Sequence, residues 1–230
     1  MIPRPTLPIF PITIPSTGKK TTFRQFTVRE EKMLMQAQES EDMMVIVNAI
    51  REVIAACVTD IDLDQLALFD VEYIITKIRS KSTSEVVELS LKCDADSNHP
   101  RIPVHLDLEK AEVIFPEGHT RTIELYDGCG VIMRYPTVED LARLEGLDRV
   151  GTVALLIDSV YTQDEVYRAS ETTFEEVIDY TNSLTDAQLT KIKREFLDTM
   201  PRFEYTLEYK CFQCGHEHKR VVKGLANFFV

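Results

Sequence analysis

Tryptophan is absent and glycine is scarce, with 8 in 230 residues. So few glycines make a loop that cradles a nucleotide phosphate unexpected. Positive charge is also in short supply: Lys and Arg total 26 against 38 Asp and Glu, a net charge of −12. So acidic a chain repels a phosphate backbone unless its cations cluster, and a nucleic-acid partner is not expected. No apolar run approaches the roughly 20 residues of a membrane-spanning helix. The apolar N-terminus carries Pro3, Pro5, Pro8, Pro11 and Pro15, which excludes the helical core of a signal peptide. A soluble protein made in the cytoplasm is expected. The five cysteines, Cys57, Cys93, Cys129, Cys211 and Cys214, are too few and too unevenly placed for a disulfide framework.

What is present is ordinary globular material: 44% hydrophobic and 28% charged residues, in a length suited to one large domain or two small ones. The periodicities predict an α+β chain in five segments. Residues 1–20 form an extended Pro-rich arm, in which Phe10, Ile12 and Ile14 offer apolar contacts either to a partner or to the protein's own domain. Residues 21–83 form a helical bundle. Thr27 and Glu30 make a capping box, Asp42 caps a second helix with an apolar face from Met43 to Cys57, and Asp70 caps a third. Cys57 lies on that apolar face and reads as a core thiol. Residues 84–136 alternate with period two. Val87, Leu89, Leu91 and Cys93 share one face, Ile102, Val104, Leu106 and Leu108 another, and shorter strands complete one antiparallel sheet. Residues 137–200 are helical again, with a helix expected over 150–161 and a capping box at Thr185 and Gln188. Residues 201–230 form a closing β-hairpin with an apolar tail of Leu225, Phe228 and Phe229, expected to fold back or to dock on a partner.

Cys211-Phe-Gln-Cys214-Gly215 at the hairpin tip is the sharpest local motif. Two thiolates converge there on one ion, and the glycine permits the left-handed turn after the second. A redox Cys-x-x-Cys normally opens a helix, whereas β-type sequence follows here. A structural zinc needs four ligands. Cys93 and His99 on the first hairpin, or His216 and His218 beside the knuckle, are the candidates for the other two. Cys93 and Cys211 share a strand-then-Lys context, so the two hairpins are expected to meet. Asp60, Asp62 and Asp64 have the spacing of a calcium loop, but Gln65 and Val71 stand where its Gly and Glu belong, so these acids read as helix caps. Gly18-Lys19-Lys20-Thr21 lacks the earlier glycine of a phosphate loop. No histidine, serine or carboxylate set has catalytic spacing, and an enzyme is not expected.

Several segments together resemble one family. IPSTGKKTTFRQFTVREEKMLMQAQESED, LFDVEYIITKIRSKSTSEVVEL, GVIMRYPT and YKCFQCGHEHKRVVKGLANFF occur in the order found in baseplate hub assembly proteins of T-even-like contractile-tailed phages. The resemblance runs from Ile14 to Phe229 and rests on Pro15–Gly18, Glu30–Lys32, Phe69–Tyr73, Arg79–Ser82, Tyr135-Pro136 and Gly224-Leu225. It implies a non-enzymatic role in building the central baseplate hub, with other hub or tail proteins as partners. It also implies a location in the host cytoplasm during assembly or in the virion tail, and leaves homo-oligomerisation open. Members of that family often carry a fuller cysteine knuckle in the first hairpin, where this chain reads Cys93-Asp-Ala-Asp96 with no second cysteine. The rival reading is a zinc-ribbon regulator that contacts nucleic acid through Lys210, Lys219, Arg220 and Lys223.

Overall fold

The computed structural model describes residues 5–40, 42–96 and 98–223. The elements run β1 (Ile9–Thr13), β2 (Lys20–Arg24), α1 (Val28–Glu39), α2 (Met43–Cys57), α3 (Leu68–Ser82), β3 (Val86–Leu91), β4 (Ile102–Asp107) and β5 (Glu112–Ile114). They continue with β6 (Thr122–Tyr126), β7 (Cys129–Met133), α4 (Leu141–Leu144), α5 (Arg149–Leu156), β8 (Ile157–Tyr161) and β9 (Val166–Arg168). Last come α6 (Phe174–Ser183), α7 (Asp186–Ile192), β10 (Arg202–Lys210) and β11 (Glu217–Lys223). The mixed α+β architecture is the expected one. It divides into two compact units: residues up to Ile114 join those from Arg202 onward, and Phe115–Pro201 form the second unit.

In the first unit the described part of the Pro-rich arm holds a hairpin strand, β1. β1 pairs antiparallel with β2, Phe10 opposite Phe23. Gly18, at φ +69°, closes the turn between them. Ile12 and Ile14 are buried, while Ile9 is 70% exposed. The two isoleucines, expected as possible partner contacts, are therefore core residues of their own unit. Alternation along β1 turns them inward.

The helices start largely where their caps dictate. The Glu30 carboxylate accepts from the Thr27 backbone N–H at 2.6 Å, and Asp42 Oδ1 accepts from Met44 N–H at 2.8 Å. The α2 face buries Val47, Ile50, Val53, Ile54 and Cys57, but Met43, expected on that face, is exposed. Asp70 is not the N-cap of α3. The helix begins at Leu68, and Asp70 sits one turn in, buried, accepting from the Ala67 and Ser16 backbone N–H groups and from the Ser16 hydroxyl. A carboxylate reaching back from the third helical position makes the same start signal as a cap, which displaces the sequence reading by a few residues.

The strands expected in one sheet are spread over three. β3 pairs with β4 alone, β5 joins the sheet β11–β10–β5, and β6–β7–β8–β9 form the sheet of the second unit. Period two reveals a strand but not its partner, and β5 pairs with β10 across nearly ninety residues of chain. In the second unit the helix expected over 150–161 ends at Leu156, and Ile157–Tyr161 becomes β8, paired to β7 and β9. An apolar run such as VALLI suits either a buried helix or a buried strand. β8 joins Ile123, Val131, Met133, Val153, Ile192 and Phe196 in one core.

Candidate metal centre

β10 and β11 pair from Glu204–Lys223 to Lys210–Glu217, which brings the chain round in a tight turn over 211–216. Cys211 N–H donates to the His216 carbonyl and Gly215 N–H to the Cys211 carbonyl, both at 2.9 Å, and Gly215 adopts φ +73°. This turn aims both thiols to one side. The β3–β4 hairpin supplies the opposite half: Cys93 follows β3, and His99 lies in the loop before β4. One ligand atom each from Cys93, His99, Cys211 and Cys214 lie within 4.8 Å of one another.

Two edges of this group can be compared with a metal polyhedron. Cys93 Sγ and Cys214 Sγ are 3.8 Å apart, and Cys211 Sγ and His99 Nδ1 are 3.6 Å apart. Tetrahedral zinc, with Zn–S of about 2.3 Å and Zn–N of about 2.0–2.1 Å, requires S···S edges of about 3.8 Å and S···N edges of about 3.6 Å. A disulfide needs about 2.05 Å, so Cys93 and Cys214 stand at co-ligand spacing. Cys93 and Cys211 are buried and Cys214 is exposed.

The site favours the thiolate at Cys93. Burial pushes that thiol up, but the hydrogen bond with His99 and the backbone amides of Asp96 and Ala95 outweigh it and hold it at about 6. The backbone amide of Cys214 helps draw Cys211 down as well. The hydrogen bond with Cys93 raises His99. Three soft sulfurs and one imidazole nitrogen, with no open position for a substrate, suit a structural ion and not a catalytic one.

Three further side chains surround the group. His218, on β11, is buried, with Nε2 at 3.5 Å from Cys93 Sγ and Nδ1 at 3.2 Å from Asp94 Oδ2. His99 Nε2 lies 3.6 Å from Asp96 Oδ2. In the sequence Asp94 and Asp96 read as ordinary loop acids; their placement beside two histidines could be found only once the hairpins were docked. His216, the other candidate beside the knuckle, is exposed and packs its ring edge against His218, centroids 4.7 Å apart. Of the expected partner contacts, Phe10 is half-buried against Phe23 at a centroid distance of 5.5 Å. Leu225, Phe228 and Phe229 lie outside the described residues. Asp62 caps a short helical turn by accepting from Asp64 N–H at 3.1 Å. Cys57 is buried, and burial raises its thiol to about 11, as an inert core thiol requires.

Comparison with known proteins adds three findings. No solved structure matches the chain. It is 25% identical over 207 residues to the baseplate hub assembly protein gp26 of Enterobacteria phage T4, covering 90% of each chain. Residues 7–230 match the model of the family described as T4 bacteriophage base plate protein. The chain belongs to that family.

Proposed function

We propose that this protein acts, without enzymatic activity, in assembling the central hub of a phage baseplate through protein–protein contacts. The observation that carries the reading is collinearity with a hub assembly protein over 90% of both chains. Exposed apolar side chains support it: Met43, Met44 and Val45 at the start of α2, and Phe212 at the knuckle tip, are 39–66% exposed. By sequence, the tail residues Leu225, Phe228 and Phe229 belong to the same contact set. The host cytoplasm, during assembly, is where these contacts form. The test is co-expression of the full chain with the other hub and tail proteins of the same phage. Stable co-purification with at least one of them, weakened by Met44→Asp, is the expected result. If the chain purifies alone from every combination, the reading fails.

The knuckle cluster, on the same proposal, holds one structural zinc. Purified protein should carry about one zinc per chain by elemental analysis, and Cys211→Ser should release it and lower the melting temperature, because binding is linked to folding. Of the four cations behind the nucleic-acid alternative, three are paired, and the side chain of Lys223 lies outside the described residues. Lys210 pairs with Glu217 at 3.4 Å, Lys219 with Glu208 at 3.1 Å, and Arg220 with Asp94 at 3.1 Å. Cations paired this way offer little net field to a phosphate backbone.

A further inference from the structure

We infer that Arg220, Asp94 and His218 form a relay that holds the Cys93 sulfur in position for the metal, making the β3–β4 loop and the β10–β11 hairpin one outer shell around it. The inference rests on the zinc reading of the cluster. It concerns Cys93, which alone among the three cysteines of the cluster has no Cys-x-x-Cys partner.

The chain of contacts is continuous. Arg220 Nη2 lies 3.1 Å from Asp94 Oδ1. The other oxygen of the same carboxylate lies 3.2 Å from His218 Nδ1, and His218 Nε2 lies 3.5 Å from Cys93 Sγ. Asp94 can only accept, so His218 Nδ1 carries a hydrogen toward it. A metal-bound thiolate can likewise only accept, so Nε2 also carries a hydrogen, toward the sulfur, and the doubly protonated ring lies between the Asp94 carboxylate and the thiolate cluster. The ring itself cannot swing: it is stacked on Tyr209 with centroids 4.7 Å apart and an interplanar angle of 14°, and its side chain is 1% exposed. A buried polar ring is retained at such a position only when both nitrogens have partners, and here each has one.

Cys211 and Cys214 are set by their own turn, with its backbone hydrogen bonds and left-handed glycine. Cys93 has no such turn. It stands in the loop that leaves β3, in a two-stranded sheet with no strand pairing to β10 or β11. The amides of Ala95 and Asp96 meet its sulfur from its own loop, and from the other hairpin the His218 ring reaches it beside the co-ligand Cys214. Outer-shell partners of this kind are worth roughly 10- to 100-fold in metal affinity.

The test is cobalt(II) and zinc binding by the full-length protein, with affinity read by chelator competition and ligand set by the cobalt spectrum. His218→Gln and Asp94→Ala should each weaken the metal by roughly 10- to 100-fold. Both should keep one ion per chain, the tetrahedral cobalt bands and an unchanged sulfur-to-metal charge-transfer intensity. His99→Ala should shift the cobalt bands themselves, and Glu208→Gln, elsewhere on the same hairpin, should change nothing. Wild-type affinity in both His218→Gln and Asp94→Ala would overturn the relay while leaving the zinc site standing. Cobalt bands that move in His218→Gln but not in His99→Ala would also overturn it, by making His218 a ligand. A wild-type protein that binds neither ion would instead remove the zinc reading on which the relay rests.

Discussion

Glu30 shows how one carboxylate ties three backbone levels together. It is 9% exposed, accepts from Arg24 at 2.8 Å and closes the capping box with Thr27. Burial alone would raise its pKa, but the bonds from Arg24 and Thr27 outweigh it and hold it at about 2, against an ordinary value of 4.5. A depressed folded-state value adds stability that is fully present above the unfolded pKa and is lost as pH falls toward the folded one. Urea unfolding should therefore show stability falling between pH 4.5 and about 2, and Glu30→Gln should flatten that fall. At neutral pH the same variant should cost about 1.5–3 kcal/mol, the range for hydrogen bonds to charged groups. A variant with the wild-type slope would show that another acid governs the transition. Arg79, in the last turn of α3, is a second residue-scale case, since burial works against its charge. Arg79→Ala should lose about 1–2 kcal/mol, with assembly recovering at lower temperature. Normal stability with complete loss of assembly would place Arg79 directly in a contact.

At the scale of elements, the N-terminal hairpin is structural. Ser16, in the turn that follows β1, binds the buried carboxylate of Asp70 through its N–H at 2.9 Å and through its hydroxyl, across 54 residues of sequence. The two contacts join segments in which the family resemblance is concentrated, and they fasten the β1–β2 hairpin to the start of α3. Lys81 adds a cation–π contact over Phe10 at 5.8 Å. Removing residues 1–17 takes away β1, Ile12 and Ile14 and leaves Asp70 without Ser16. The truncated protein should melt at a distinctly lower temperature and bind a hydrophobic dye, both checked by thermal dichroism and dye fluorescence. An unchanged melting temperature would show the hairpin to be an appendage.

For the whole molecule, the decisive feature is that one compact unit is inserted in another. β5 ends at Ile114, which pairs with Arg202 at the start of β10, so the two ends of Phe115–Pro201 emerge side by side. Adjacent ends permit insertion of an independently folding unit. The second unit has its own core around Val131, Met133, Ile192 and Phe196, all fully buried. Residues 115–201 expressed alone should therefore unfold cooperatively in urea with a dispersed proton NMR spectrum. A non-cooperative transition would mean that this core depends on the rest of the chain.

Local chemistry was legible in the sequence wherever neighbouring residues decide the outcome. The capping boxes at Thr27 and Thr185 appear as read, because a side chain three residues away is all that a helix start needs. The knuckle turn was readable for the same reason. The sequence also brought forward Cys93 and His99, favoured by the context that Cys93 shares with Cys211, and His216 and His218 beside the knuckle, but with no distances to rank the histidines. That ranking is a matter of tertiary structure, which places His99 at 3.6 Å from Cys211 and turns His218 toward Asp94 and Cys93. The division of strands among three sheets, the helix-to-strand change at Ile157 and the inward turn of Ile12 and Ile14 were decided there too. The physical reason is common to all of them: hydrophobic pattern states which side of an element is buried, whereas the partner that buries it lies tens of residues away, chosen by packing that no local window contains.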